Sequence, residues 1–245
     1  MAIKSHTLFH FTSSLDTLLS ILRTGFWPRY CTEDFRWYNQ ELGYVSYPIV
    51  SFCDIPLTQI NEHTDFYGKF GLGISREMAI SAGINPVIYL TENSALRYSL
   101  LQLAQPKKFV FPPNIDLYSD YFLEVLSLIK PISGKMSRAN GEEIEKDFCL
   151  ESEWRYSPNL PKNRKCISMN KHNIENEDLN GYTYDNCMLK FPISAVNYLI
   201  VERNEDAVEL ANNLSSAVVN SKSSKDDIDY LKLRIITLED IARDF

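Results

Sequence analysis

Near the start of the chain, the run Thr7-Leu8-Phe9-His10-Phe11-Thr12 feeds directly into a leucine stripe, and this junction constrains the fold more than any other stretch. Leu8 to Phe11 is a short apolar run with a histidine inside it, the pattern of a buried strand. Leu15, Leu18, Leu19 and Leu22 follow at helical spacing and form one apolar face. Ser13, with Asp16 three residues on, predicts the helix start by reciprocal capping. Gly25 supplies the left-handed residue that ends such a helix. His10 and Thr12 therefore stand at the carboxyl end of a strand that feeds a helix, a common place for a ligand. A buried, hydrogen-bonded core histidine is the competing reading.

Further on, strands and helices mix without regular alternation, which predicts an α+β fold. Phe26 to Cys31 reads as a packed aromatic loop, and Thr32 to Tyr47 as a surface loop or a lid over a cleft. Pro48 to Asp54 is a strand broken at Pro56, and Phe70 to Ile74 a strand whose two glycines suit a bulge or a close backbone approach. Ser75 caps a short helix that Gly83 ends, Val87 to Leu90 is a strand, and Asn93 or Ser94 caps a helix to about Leu103. A proline-rich loop covers 105–115. Leu117, Tyr121, Val125 and Ile129 mark a helix that Pro131 closes. Late in the chain, Met188–Phe191, Tyr198–Val201 and Leu233–Ile236 read as strands. Glu205 to Leu214 is a helix, and Thr237 with Asp240 caps a terminal one. The 245 residues make one domain, with loop insertions near 132–147, 157–186 and 215–227.

A formal net charge of -7 argues against a protein that coats nucleic acid or anionic membrane through bulk charge. No run is long enough to span a bilayer, so no membrane association is expected. The cysteines, Cys31, Cys53, Cys149, Cys166 and Cys187, are odd in number and lack metal-ligand spacing. They read as reduced thiols of a cytoplasmic protein, with Cys53 and Cys149 buried and inert.

Phe148 to Tyr156 reads as a strand of period two. Phe148, Leu150, Trp154 and Tyr156 share one face; Cys149, Glu151, Glu153 and Arg155 share the other. Two carboxylates and a guanidinium then line one side of a strand. A solvated face carrying a Glu–Arg pair is the plain alternative. There is no Gly-rich phosphate loop, zinc spacing or G-x-S-x-G elbow. What remains is a three-part constellation: His10-Phe11-Thr12, Ser51-Phe52 and Glu151-x-Glu153.

Leu8 to Thr12, Pro28-Arg29-Tyr30, Val50 to Leu57, Tyr67 to Gly73, Asn85 to Tyr89 and Glu151 to Arg155 together resemble the abortive-infection AbiGi family. That resemblance implies a role in phage defence, an antitoxin label, and a cognate toxin or antitoxin as partner. More distantly, the three-part order resembles the ADP-ribosyltransferase superfamily, including the DarT-like toxins. This second resemblance implies a split, mostly antiparallel sheet with flanking helices and NAD as substrate, with no metal. The acceptor would be a protein or nucleic acid, or water in an NAD glycohydrolase. Carried over, His10 would bind the adenosine-side ribose, and Phe11 and Thr12 the nicotinamide end. Arg29 would meet the pyrophosphate, and Tyr67 would stack on nicotinamide. Ser51, Phe52 or Tyr67 would fill the middle position. Glu153 would be catalytic, with Glu151 orienting the acceptor. The chemistry suits these residues, because breaking the nicotinamide–ribose bond builds positive charge that a glutamate can stabilise.

Overall fold

The computed structural model describes residues 5–40, 42–103, 115–137, 143–218 and 224–244. Its centre is a nine-stranded sheet. In spatial order the main path runs β13 (Ile235–Thr237), β12 (Val196–Val201), β4 (Phe70–Ser75), β1 (Thr7–Thr12), β3 (Tyr44–Cys53), β10 (Glu153–Tyr156) and β5 (Asn85–Pro86). β2 (Arg29–Asp34) and β11 (Ile167–Ser168) pair with the N-terminal part of β3. Pairing in this sheet is antiparallel except between β12 and β13. The fold is α+β, as the irregular order of elements predicts.

Both faces of the sheet are covered. On one, Leu8, Phe52, Leu72, Leu199 and Val201 pack under α1 (Leu15–Thr24), α8 (Asn204–Ala217) and α9 (Lys225–Lys232), which contribute Leu18, Ile21, Leu210, Leu214 and Leu231. On the other, Phe9, Phe11, Cys53 and Ile200 meet Ile60, ahead of α2 (Asn61–Tyr67), and Leu238 and Ile241 of α10 (Leu238–Asp244). The two glycines of β4 serve this second face. A Cβ on Gly71 or Gly73 would press within 2.8 Å of the Phe11 or Phe9 ring. The two glycines thus make room for side-chain rings, where the expectation is a bulge or a close backbone approach. A third cluster gathers Val45, Tyr47 and Ile49 of β3 with Leu100 of α4 (Ala95–Leu103) and Leu126 of α5 (Ile115–Leu126).

The sheet forks at its middle. β1 pairs with β4 along its whole length but shares only Phe9↔Cys53 with β3. β3 continues instead with β10, from Glu153↔Cys53 to Tyr156↔Val50.

Several expectations are corrected. Ser14, not Ser13, caps α1; its hydroxyl accepts from the Thr17 N–H, because β1 pairing holds the chain extended through Thr12. The stretch Thr32–Tyr47 is no lid: it and the residues before it form the hairpin β2–β3, registered from Arg29↔Ile49 to Asp34↔Tyr44. Residues 132–147 include a hairpin, β8 (Ser133–Ser137) with β9 (Glu143–Asp147), rather than a loop alone. Ile129 leaves the helix for β7 (Ile129–Pro131), which pairs with β6 (Ile88–Leu90). Residues 157–186 carry α7 (Met169–Asn186), a helix seated by polar groups. The Tyr30 N–H donates to Asn180 Oδ1 at 2.9 Å, and Trp27 Nε1–H donates to the Asn180 carbonyl and Thr183 hydroxyl. Met188–Phe191 contributes one bridge, Phe26↔Leu189, not a strand. The last strand starts at Ile235 rather than Leu233. α8 extends through Ala217, and α9 starts at Lys225. Of the proline-rich loop, residues 105–114 lie outside the described residues.

Candidate functional site

The second sequence stretch of interest is not one strand. Phe148–Glu151 forms a 3-10 turn, Ser152 takes a left-handed conformation (φ 43°), and β10 begins only at Glu153. The two-residue period therefore aligns Glu153 with Arg155 alone. Glu151 reaches the same place from the turn. The face is not solvated: Glu151, Glu153 and Arg155 are 4%, 6% and 1% exposed.

These three residues belong to a buried ionic cluster that also contains Glu33, Lys130 and Lys146. Glu153 Oε1 accepts from the Ser51 hydroxyl at 2.6 Å and from Arg155 Nε at 2.8 Å. Its Oε2 lies 2.8 Å from Lys130 Nζ and 3.2 Å from Arg155 Nη2. Arg155 turns its outer nitrogens to Glu33 and to the Ser127 carbonyl. Lys130 also reaches Glu151 Oε2 at 3.3 Å. Lys146 meets Glu151 Oε1 at 2.6 Å, and the Tyr67 hydroxyl donates to the same oxygen. The three carboxylates are matched by three cations, which is how a protein tolerates charge at this depth.

The electrostatics follow from that matching. Burial raises the pKa of Glu153, but Arg155 and Lys130 outweigh it and hold the carboxyl well below the usual range. Burial likewise works against Glu151, and Lys130, Lys146 and Tyr67 bring it down. Burial and the adjacent Glu151 push the Tyr67 phenol far up, so it stays a donor.

His10 sits at the fork. Its Nδ1 lies 2.8 Å from the Ser51 carbonyl. A carbonyl only accepts, so Nδ1 carries the proton and Nε2 presents a lone pair. The ring stands edge-on to Phe26, with centroids 5.2 Å apart, and burial lowers its pKa. Because Phe9, Cys53 and Glu153 align across the strands, the alternation puts His10 on the opposite sheet face from Glu153. Ser51 links them, through its carbonyl to His10 and its hydroxyl to Glu153.

Other expected site residues are dispersed. Phe11 packs in the core, its ring 5.4 Å from that of His63. Thr12 is buried and paired with Phe70, and Phe52 is buried under α1. Tyr67 packs against His63, with ring centroids 4.5 Å apart and the planes tilted, and bonds Glu151. Arg29 stands apart from the cluster, exposed and stacked on Trp27 at 5.0 Å.

Sequence reading missed Glu33, Lys130, Lys146 and His63. Only Lys146 carries a local signal: it stands two residues after Ile144, on the apolar side of an alternating run, and the two are half-buried between exposed Glu143, Glu145 and Asp147. Two cavities flank the cluster. One, of about 640 Å³, is lined by Thr58, Gln59, His63, Lys146 and Glu151 among others. The second, of about 460 Å³, is lined by Glu33, Trp37, Tyr44, Lys130 and Met136 among others. Burial lowers the His63 pKa to about 4, so its imidazole is neutral at physiological pH. Among the described residues no group of His, Cys, Asp and Glu is arranged to hold a metal ion, and no helix is long and apolar enough to cross a membrane.

Residues 24–202 match the family described as "Putative abortive phage resistance protein AbiGi, antitoxin". A protein of Lactococcus lactis subsp. cremoris, named "Abortive phage resistance protein AbiGi", is 26% identical over 251 residues, covering 90% of this chain and 100% of that protein. No solved structure matches.

Proposed function

Because this chain belongs to the AbiGi family of abortive phage resistance proteins, we propose that it acts as the antitoxin of a toxin–antitoxin pair, a binding module rather than an enzyme. The observation that carries this reading is the state of Glu153. Both of its oxygens are engaged, by Ser51, Arg155 and Lys130, and its charge is offset at close range. A glutamate that stabilises a developing positive charge must keep an oxygen and a net charge for the reacting sugar. Glu153 spends both on the fold. Three of the residues that the NAD reading draws on are otherwise engaged: Tyr67 is bonded to Glu151, Phe52 is buried, and Arg29 stacks on Trp27.

Expression of the chain alone in a bacterial host should leave growth unaffected. Co-expression with the cognate toxin should restore growth, and the two proteins should co-purify. Growth arrest by the chain alone would overturn the reading.

A second reading has one observation in its favour. The first-strand histidine, the middle-strand serine and the late-strand glutamate occupy three neighbouring strands, and His10 and Glu153 both bond Ser51. An enzyme that cleaves the nicotinamide–ribose bond of NAD, with a protein, a nucleic acid or water as acceptor, would draw on Ser51 and Glu153, with His10 behind them on the opposite sheet face. Purified protein incubated with NAD decides it. Free nicotinamide, absent for Glu153→Gln, would favour the enzyme; none from the wild type would leave the antitoxin.

A further inference from the structure

The hairpin β8–β9 is a two-stranded sheet separate from the main one. None of its residues with described burial is fully buried: Gly134, Met136, Ile144 and Lys146 are half-covered and the rest are exposed. A lone two-stranded hairpin is marginal in water and depends on what it rests against. Its base is fixed. The Ile132 N–H donates to the Leu90 carbonyl, the Cys149 N–H donates to the Ile132 carbonyl, and Phe148 is buried against Gly134. Beyond the base, and among the described residues, the polar attachment is concentrated in one side chain. Lys146 Nζ meets Glu151 at 2.6 Å and Tyr67 Oη at 3.2 Å, and lies over the rings of Phe66 at 4.0 Å and Tyr67 at 4.3 Å. Met136 Sδ adds a weak contact to the Tyr67 hydroxyl at 3.9 Å.

The same hairpin walls both cavities. Glu145, Lys146 and Asp147 line the larger; Ser133 to Met136 and Glu143 line the smaller. Across this partition, Glu151 of the first cavity and Lys130 of the second are 3.3 Å apart.

We infer that strands 133–137 and 143–147 form a hinged lid, pivoting at Ile132 and Phe148 and bolted shut by Lys146. Opening withdraws Lys146 from Glu151 and Tyr67 and joins the two cavities into one cleft over the ionic cluster. Glu151 keeps Lys130 as a partner, so the bolt can leave without stranding an unpaired buried carboxylate. The lid thus controls access to the carboxylates from inside the fold. The inference stands whichever functional reading holds.

Hydrogen exchange of the full chain, read by mass spectrometry, tests it. In the wild type the amides of the two strands should exchange by local opening, at least about tenfold faster than those of β1 and β4. Lys146→Met keeps the length and the ring contact but removes the charge. It should speed the strands by about tenfold more while leaving β1 and β4 within about twofold. Tyr67→Phe, which retains the ring under the ammonium, should give a smaller change in the same direction and serves if Lys146→Met does not fold. Strand amides as protected as β1 in the wild type would overturn the lid. So would acceleration of hairpin and core by one common factor, the mark of global destabilisation.

Discussion

The spacing of Glu153 and Arg155 puts them on one strand face, and the structure has them there. What spacing could not supply was the depth of that face, because Lys130 and Glu33 arrive from elements distant in sequence. Read as solvated, the pair would make Glu153→Gln nearly neutral. Read as buried, the substitution leaves Arg155 and Lys130 short of a counter-charge. It should lower stability by about 3 kcal/mol, within the range for breaking one side of a buried pair. Urea unfolding measures this, and a loss below about 0.5 kcal/mol would return the face to the surface class. The histidines add a pH dependence at the same scale. Burial holds His63 neutral down to about pH 4, and His10 shifts the same way. The unfolded chain takes these protons near pH 6.5, so it binds more protons than the folded chain below that value. Stability contributed by neutral His63 is therefore full above about pH 6.5 and falls as pH drops toward 4, by up to about 1.4 kcal/mol per pH unit. Glu151 and Glu153, whose pKa values are depressed, add a second loss in the same direction below about pH 4.5. Urea midpoints compared for wild type and His63→Gln between about pH 7.5 and 5 should show a flatter profile in the variant; parallel profiles would exclude His63 as a source.

Elements were legible where capping chemistry or an apolar period announced them. Ser75 and Ser94 cap their helices by accepting N–H groups three residues on, and the terminal helix begins at a Thr237–Asp240 cap. They were illegible where the inward face is polar. α7 presents Asn180 and Thr183 to its neighbours and has almost no apolar stripe, so a periodicity argument finds nothing. The β2–β3 hairpin was hidden differently, by charged residues on strands whose aromatics read as a pinned loop. Glycines at element ends allow a sharper comparison. Gly83 has φ 76° with open space around it, whereas Gly68 has φ 122° and its missing Cβ would collide with the Thr12 carbonyl and come within 2.7 Å of Ser13 N. Gly83→Ala meets only the backbone penalty and should cost about 1 kcal/mol. Gly68→Ala must also push the end of β1 away from α2, and should cost at least about twice as much. Equal melting temperatures for the two variants would mean the Gly68–Thr12 contact relaxes freely.

At the scale of the whole molecule, β3 is the common member of the three larger clusters around the sheet. Val50 and Phe52 enter the core under α1 and α8, Cys53 the core beside Ile60 and α10, and Val45, Tyr47 and Ile49 the core beside α4 and α5. The same strand pairs with β1, β2, β10 and β11. Separating one core from another therefore means stripping one side of β3, with loss of ladder bonds as well as apolar contacts. A chain of this length can unfold in stages. This topology predicts one cooperative transition instead. Natural probes sit in different regions: Trp37 packs on the core beside α4, Trp154 on the core under α1, and Trp27 bonds α7. Fluorescence of variants that each retain a single tryptophan, Trp replaced by Phe at the other two positions, should give urea midpoints coincident with one another and with far-ultraviolet circular dichroism. A Trp37 transition that precedes the Trp154 transition would show that the β2–β3 hairpin and its helices unfold as a unit of their own, and would divide the chain at the middle of β3.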